Sequence, residues 1–182
     1  MIYVFLAEGF EETEAIAPID MLRRAGKEVI TVGIKHDDIR SSHGIPVLCD
    51  MTDMQAELDE RLEMIVLPGG MPGTLNLEEN PVVQSALSYC AEKNIPIGAI
   101  CAAPSILGKA GLLKGREAVC FPGFEKYLEG AKLSESKVVT DGNITTAAGA
   151  GVAIEFGLRL VEVLCGAEKS NSIRAAIQMD KV

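Results

Sequence analysis

Short apolar runs alternate with stretches of helical spacing along most of the chain. Met1–Ala7, Val29–Ile34, Met64–Leu67 and Ile95–Ile100 are apolar and bounded by turn residues, the pattern of strands buried on both faces. Between them, Glu12–Ala25 puts Ala15, Ile19 and Leu22 on one helical face and stops at Gly26. Asn80–Asn94 opens on Asn80-Pro81, a helix start, and keeps Val83, Leu87 and either Cys90 or Ala91 in register. Pro104–Ala110 predicts a further helix, Gly151–Leu164 a long amphipathic one, and Lys169–Met179 the last. Ala118–Phe121 reads as one more strand. Arg40–Asp50, with Gly44 and Pro46, predicts a loop or an edge hairpin. Lys137–Ala147, split by Asp141-Gly142-Asn143, predicts a β-hairpin. Met54–Leu62 is short and acidic.

Strand followed by helix, repeated, implies a mostly parallel, doubly wound α/β sheet with crossover helices on both faces. No linker, low-complexity tract or repeat interrupts it, so residues 1–182 read as one domain. In such a sheet, ligands bind beyond the carboxyl ends of the strands.

Composition removes several function classes. A formal net charge of -9 argues against a phosphate-tracking surface, and 4% aromatics with no Trp against a base-stacking platform. The uncharged stretch Ile95–Leu107 holds two prolines and is too short to span a bilayer. Glu8 follows the first apolar run at once, so the N-terminus does not read as a signal peptide. The five Cys are odd in number and include no C-x-x-C pair, and there are only two His. Neither a complete disulfide framework nor a Cys/His zinc site suits that inventory. Unpaired thiols point to a reducing cytoplasm.

Three segments carry chemistry. Ile97-Gly98-Ala99-Ile100-Cys101-Ala102-Ala103-Pro104-Ser105 runs an apolar strand into a Cys, then small residues, then a helix start. That is the layout of a nucleophile elbow, in which a sharp strand-to-helix turn lifts one side chain to the sheet top. Elsewhere a Cys is usually a small core hydrophobe. At this position the following helix N-terminus is expected to favour the Cys101 thiolate. Leu67-Pro68-Gly69-Gly70 follows another buried strand, and its glycines let backbone N–H groups approach a ligand. The N–H groups of Gly70 and Ala102 are candidates for a two-donor anion pocket facing Cys101. Gly9-Phe10-Glu11-Glu12-Thr13-Glu14 follows the first strand, at the same sheet edge. Glu11 and Glu12 complement the helix dipole. Glu14 instead shares a face with Pro18 and Met21, which predicts burial. A carboxyl desolvated beside a thiolate stays protonated, donates to sulfur, and serves as general acid and base.

Taken in this order, Glu-Glu-x-Glu, Leu-Pro-Gly-Gly and Ala-Ile-Cys-Ala-Ala-Pro resemble the ThiJ/PfpI superfamily, also called the DJ-one family, in its bacterial form. The resemblance spans roughly Met1 to Leu164. It implies a flavodoxin-like three-layer sandwich and a homodimer, with Cys101 as nucleophile, Glu14 as its protonated partner, and Gly70 and Ala102 as the backbone donors. Arg24 matches a family arginine that reaches toward the partner subunit's site; it also reads as an ordinary cation in a last helical turn. Ala147-Ala148-Gly149-Ala150-Gly151 matches a family loop near the site. Many relatives place a His after the Cys or on the strand after its helix. Here those positions are Ala102 and the stretch Cys120-Phe121-Pro122. Both His36 and His43 precede Cys101, which disfavours a Cys–His protease or glutamine amidotransferase. Whether His43 folds into the site, or Cys120 acts as a resolving thiol, is left open by the sequence.

The family's glyoxalase and proposed deglycase activities imply a cofactor-free enzyme for small reactive carbonyls such as methylglyoxal. A redox-sensing or chaperone-like stress protein, acting through oxidation of Cys101, uses the same thiol. A flavin or nucleotide module is disfavoured, because Glu11 and Glu12 occupy the first strand-to-helix turn and no P-loop is present. No metal, nucleic-acid or membrane partner is expected.

Overall fold

The computed structural model describes residues 1–179. Its core is a seven-stranded sheet of order β10-β11-β7-β6-β1-β2-β5. The strands are β1 (Ile2–Leu6), β2 (Val29–Gly33), β5 (Met51–Thr52), β6 (Met64–Leu67), β7 (Ile97–Ile100), β10 (Val138–Asp141) and β11 (Ile144–Ala147). All adjacent pairs are parallel except the edge hairpin β10–β11. From β1 the chain winds outward to β2 and β5, then returns to build β6, β7 and β11 on the other side. The turn of direction falls between β1 and β6, where an open α/β sheet leaves a crevice at its carboxyl edge.

Period-two alternation sorts the side chains of β1. Ile2, Val4 and Leu6 face one core with Met64, Val66 and Ile100. Tyr3 and Phe5 face the other with Ile65, Leu67, Ile97 and Ala99. The first face is covered by α1 (Glu12–Arg24), α5 (Ala153–Cys165) and α6 (Ala167–Ala176), through Ala15, Ile19, Leu22, Phe156, Leu160 and Ile173. The second is covered by α2 (Gly73–Glu79), α3 (Pro81–Lys93) and α4 (Pro104–Lys109), through Leu77, Val83, Leu87, Ile106 and Leu107. The result is the expected flavodoxin-like three-layer arrangement. Small residues set the close contacts. A Cβ at Gly157 would lie 2.8 Å from Met21 and 2.9 Å from Pro18, so glycine lets α5 cross tightly over α1.

Most predicted elements appear within a residue or two of their bounds. Arg40–Asp50 forms a hairpin of β3 (Asp38–Arg40) and β4 (Pro46–Leu48). Some differ. Ala118–Phe121 is not a strand of the main sheet; only Glu117–Ala118 (β8) is extended, paired with Lys132–Leu133 (β9). The place beside β7 is taken by β11, and the Phe121 N–H instead donates to the Cys101 carbonyl at 2.7 Å. The last two helices start two residues after and before the predicted Gly151 and Lys169. Helix α2 was not predicted. Its seven residues, flanked by Pro72 and Asn80, are too few to display a period.

Candidate active site

Cys101 ends β7 at φ +65°, a left-handed conformation that a side-chain-bearing residue rarely adopts. Strand β11 and the Phe121 segment hold it there. Its N–H donates to the Ala147 carbonyl at 2.8 Å, and its carbonyl accepts from Phe121. The Ala103 N–H then closes back on the Ile100 carbonyl at 3.1 Å. Ala102 and Ala103 are buried, which explains the run of small residues. The strand-to-helix turn is formed as expected, with the strained positive φ at Cys101 itself.

Glu14, in the first turn of α1, is 1% exposed. Its backbone N–H is capped by the Glu11 carboxylate at 2.7 Å. Its own Oε2 accepts the Gly69 N–H at 3.0 Å, and the Ala150 backbone bonds the same carboxyl group. The carboxyl also hydrogen-bonds the Cys101 thiol, so two residues 87 positions apart meet at the carboxyl edge of the sheet. On the sulfur side, the backbone groups of Ala102 and Gly70 bond Cys101. Both predicted donors therefore reach it. Gly70 has φ +89°, and any side chain there would strike the Gly9–Glu11 backbone. A Cβ on Gly69 would lie 2.6 Å from Glu14 Oε2 and 2.7 Å from Cys101 Cβ. Gly69→Ala is accordingly expected to push the pair apart and cost about 1–3 kcal/mol of stability, as other overpacking does, checked by urea unfolding.

Electrostatics departs from the expectation of a simply depressed thiol. Burial pushes Glu14 up to about 7, against the opposing bonds from Cys101, Gly69 and Ala150. Burial, followed by the charge of Glu14, pushes Cys101 up to about 12, outweighing the Ala102 and Gly70 bonds. The short helix after the elbow does not overcome these two effects. The pair titrates as a unit: from about 7 to about 12 it holds one proton and one negative charge. Backbone N–H groups stand at both ends of that shared charge.

This has a consequence for stability. The folded-state value of Glu14 lies above the ordinary 4.5, so its contribution is fully present below 4.5 and is lost as pH rises through about 7. Relative to Glu14→Gln, the native protein is expected to lose on the order of 3 kcal/mol between pH 4 and pH 8, a difference read from paired urea unfolding curves.

The remaining candidates lie apart from the pair. His43 is 70% exposed and its Nδ1 sits 2.9 Å from Glu12 Oε1; His36 bonds the Asp38 carbonyl. Neither is bonded to Cys101 or Glu14. Arg24, in the last turn of α1, pairs with Asp20 at 2.8 Å, at the opposite end of the helix from Glu14. It does not reach the site of its own chain. Cys120 is buried in the core under α4, whereas Cys101 packs against the opposite core. Cys49 is buried, and burial pushes it up to about 11. Glu11, Glu12 and His43 bring one ligand-type atom each within 4.8 Å of one another, a cluster the sequence reading did not anticipate. Glu11 is engaged in capping Glu14 and Glu12 in pairing His43. Gly69 and Ala150, in the two loops expected near the site, bond the Glu14 carboxyl, whereas the Phe121 N–H that holds the Cys101 carbonyl was not expected there.

The family can now be fixed. The profile of the DJ-1/PfpI family matches residues 1–163. The chain belongs to the DJ-1/PfpI family. Among its members, the Parkinson disease protein 7 homolog of Danio rerio is 35% identical over 178 residues, covering 96% of this chain and 94% of that one. The glutathione-independent glyoxalase DJR-1.2 of Caenorhabditis elegans is 33% identical over 167 residues, covering 91% and 89%. Oxidized Toxoplasma gondii DJ-1 superposes with a TM-score of 0.89 at 33% identity, covering 97% and 96%. The DJ-1/PfpI family thus includes a glyoxalase-type enzyme, and this chain shares its fold. Among the described residues, no helix is long and apolar enough to cross a membrane.

Proposed function

We propose that this protein is a cofactor-free, cysteine-dependent glyoxalase- or deglycase-like enzyme for small reactive carbonyls such as methylglyoxal. Cys101 is the nucleophile and Glu14 carries the protons. The carrying observation is the Glu14 carboxyl, 1% exposed and hydrogen-bonded to the elbow thiol. In this reading the shared proton moves from sulfur to Glu14 as the thiolate adds to the aldehyde carbon. The aldehyde oxygen takes that proton from Glu14, giving a hemithioacetal; the Gly70 and Ala102 N–H groups steady the developing oxyanion. The Glu14 carboxylate then removes the proton on the former aldehyde carbon and returns it to the neighbouring ketone carbon, while the hemithioacetal hydroxyl proton passes to the former ketone oxygen, so that a thioester carbonyl and a new hydroxyl form together. The first carbon is oxidised by two electrons and the second reduced by two, so no external oxidant is needed. Water cleaves the resulting thioester to lactate and restores the thiol. The glyoxalase among the relatives supports this assignment. The test is lactate formation from methylglyoxal, without added glutathione, followed by proton NMR. No lactate at any pH from 6 to 9 would overturn it.

A second reading is redox sensing. The Ala102 and Gly70 N–H groups that hold an oxyanion suit sulfinate oxygens equally well, and one related structure is an oxidized protein. Two peroxide molecules would each be reduced to water while Cys101 passes through sulfenate to sulfinate. Intact-mass analysis after mild peroxide decides this: oxidation spread evenly over the five cysteines would sink it.

The chain is proposed to act as a single cytoplasmic domain, residues 1–182, and as a homodimer. Exposed Ile16 and Ile154, beside Met21 on α1 and α5, supply an apolar face for a second copy. Arg24 on the same helix is the proposed contact to the partner's site. Sedimentation equilibrium reports the assembly state.

A further inference from the structure

A cleft of about 410 Å³ has a lining tied to the Cys101–Glu14 pair by hydrogen bonds, although neither residue of the pair lines it. Phe121, Pro122, Ala148, Ala150 and Val152 wall it, and Lys137 is the charged residue of its lining. Several of these residues are tied to the pair itself. The Phe121 N–H bonds the Cys101 carbonyl, and the Ala150 backbone bonds the Glu14 carboxyl. Gly149, also in the lining, stands between the two. A Cβ there would lie 3.3 Å from the Phe121 ring and 3.8 Å from Glu14 Oε1. Glycine therefore keeps open the gap from ring to carboxyl.

Phe121 is 47% exposed although its backbone N–H is bonded to the carbonyl of the half-buried Cys101. An exposed aromatic wall beside a few convergent polar groups is the usual make-up of a small-molecule site. Methylglyoxal brings one methyl group to that wall and leaves most of the cleft to water. A larger apolar group on the ketone carbon would displace the water and cover the ring, at a gain typical of aromatic and methylene contacts.

We infer that Phe121 is a specificity-determining residue, and that the cleft selects dicarbonyls whose ketone carbon bears an aryl or branched alkyl group. The inference rests on the glyoxalase reading and deepens it. In kinetics with phenylglyoxal and methylglyoxal, measured as mandelate and lactate formed, the native protein is expected to favour phenylglyoxal by about tenfold or more in kcat/KM. Phe121→Ala should lower kcat/KM for phenylglyoxal about tenfold and change that for methylglyoxal less than about threefold; Phe121→Leu should fall between. Equal losses on both aldehydes, or no native preference, would overturn the role of Phe121.

A binding measurement separates this inference from the reading beneath it. Neutral analogues that lack the aldehyde, 2-hydroxyacetophenone and hydroxyacetone, are compared by ligand-observed NMR. Tighter binding of the aryl analogue, lost in Phe121→Ala, upholds the cleft even if neither aldehyde is turned over; in that case the glyoxalase reading alone falls. Turnover of methylglyoxal with no aryl preference in either binding or rate removes the cleft and leaves the glyoxalase reading intact.

Discussion

Cys101→Ala should reduce lactate formation from methylglyoxal on the order of 10⁴-fold or more, to the uncatalysed background. The size follows from the lack of a substitute. Cys49, Cys90 and Cys120 are buried, and unlike Cys101 none of them is hydrogen-bonded to a carboxyl that could take its proton. Cys120, whose chain neighbour Phe121 bonds the Cys101 carbonyl, faces the other core. With sulfur gone, Glu14 and the Gly70 and Ala102 N–H groups remain, yet no bond to the aldehyde carbon forms. The fold should survive. Alanine is smaller than cysteine, and the backbone bonds from Ala147 and Phe121 that hold position 101 do not involve its side chain. Circular dichroism and urea unfolding check that. Cys120→Ala serves as the control and should retain native turnover. If Cys101→Ala turns over methylglyoxal at the native rate, the nucleophile assignment is wrong. Glu14 would then lose one of the bonds that hold it down, and its ionisation should move further above 7.

The central strands β1, β2, β6 and β7 were legible because they are largely buried on both faces and read as uninterrupted apolar runs, whereas the half-exposed two-residue β5 was not. Cys101 and Glu14 were legible for a related reason. Each lies directly after or near the carboxyl end of such a run, and that position, more than the residue type, marks a site in a wound α/β sheet. The ionisation of the pair was not legible. Spacing shows that a helix start follows Cys101, but the depth of burial comes from α1 and the Ala148–Ala150 turn closing over it from distant parts of the chain. The dipole of a six-residue helix is weak against that desolvation. Phe121 was misread for a tertiary reason as well. Its β-forming neighbours suggested a sheet strand, and the hydrogen bond to the Cys101 carbonyl that redirects it is visible only in three dimensions. Helix α2 fell below the length at which periodicity carries information.

Glu14→Gln should slow methylglyoxal turnover by about 10²–10⁴-fold while leaving Cys101 in place, because it removes general acid–base transfer and little else. The pH dependence of Cys101 alkylation gives the sharper readout. In the native protein the pair gives up its first proton at about 7, and the charge left behind is shared between sulfur and carboxylate. Alkylation should therefore rise through an inflection near pH 7 and reach a plateau set by the fraction of charge on sulfur. A second rise follows toward about 12, where the last proton leaves. In Glu14→Gln no carboxylate is available to accept the thiol proton, so the inflection near 7 should vanish. The carboxylate charge that opposed ionisation is gone too, so the remaining single inflection should fall below 12; burial persists and holds it above the ordinary thiol range. Two native inflections collapsing into one intermediate inflection is a result that a purely structural Glu14 would not produce. Identical alkylation profiles in the two proteins would show that Glu14 neither accepts the thiol proton nor opposes its loss, and proton transfer in the reaction would have to be assigned elsewhere.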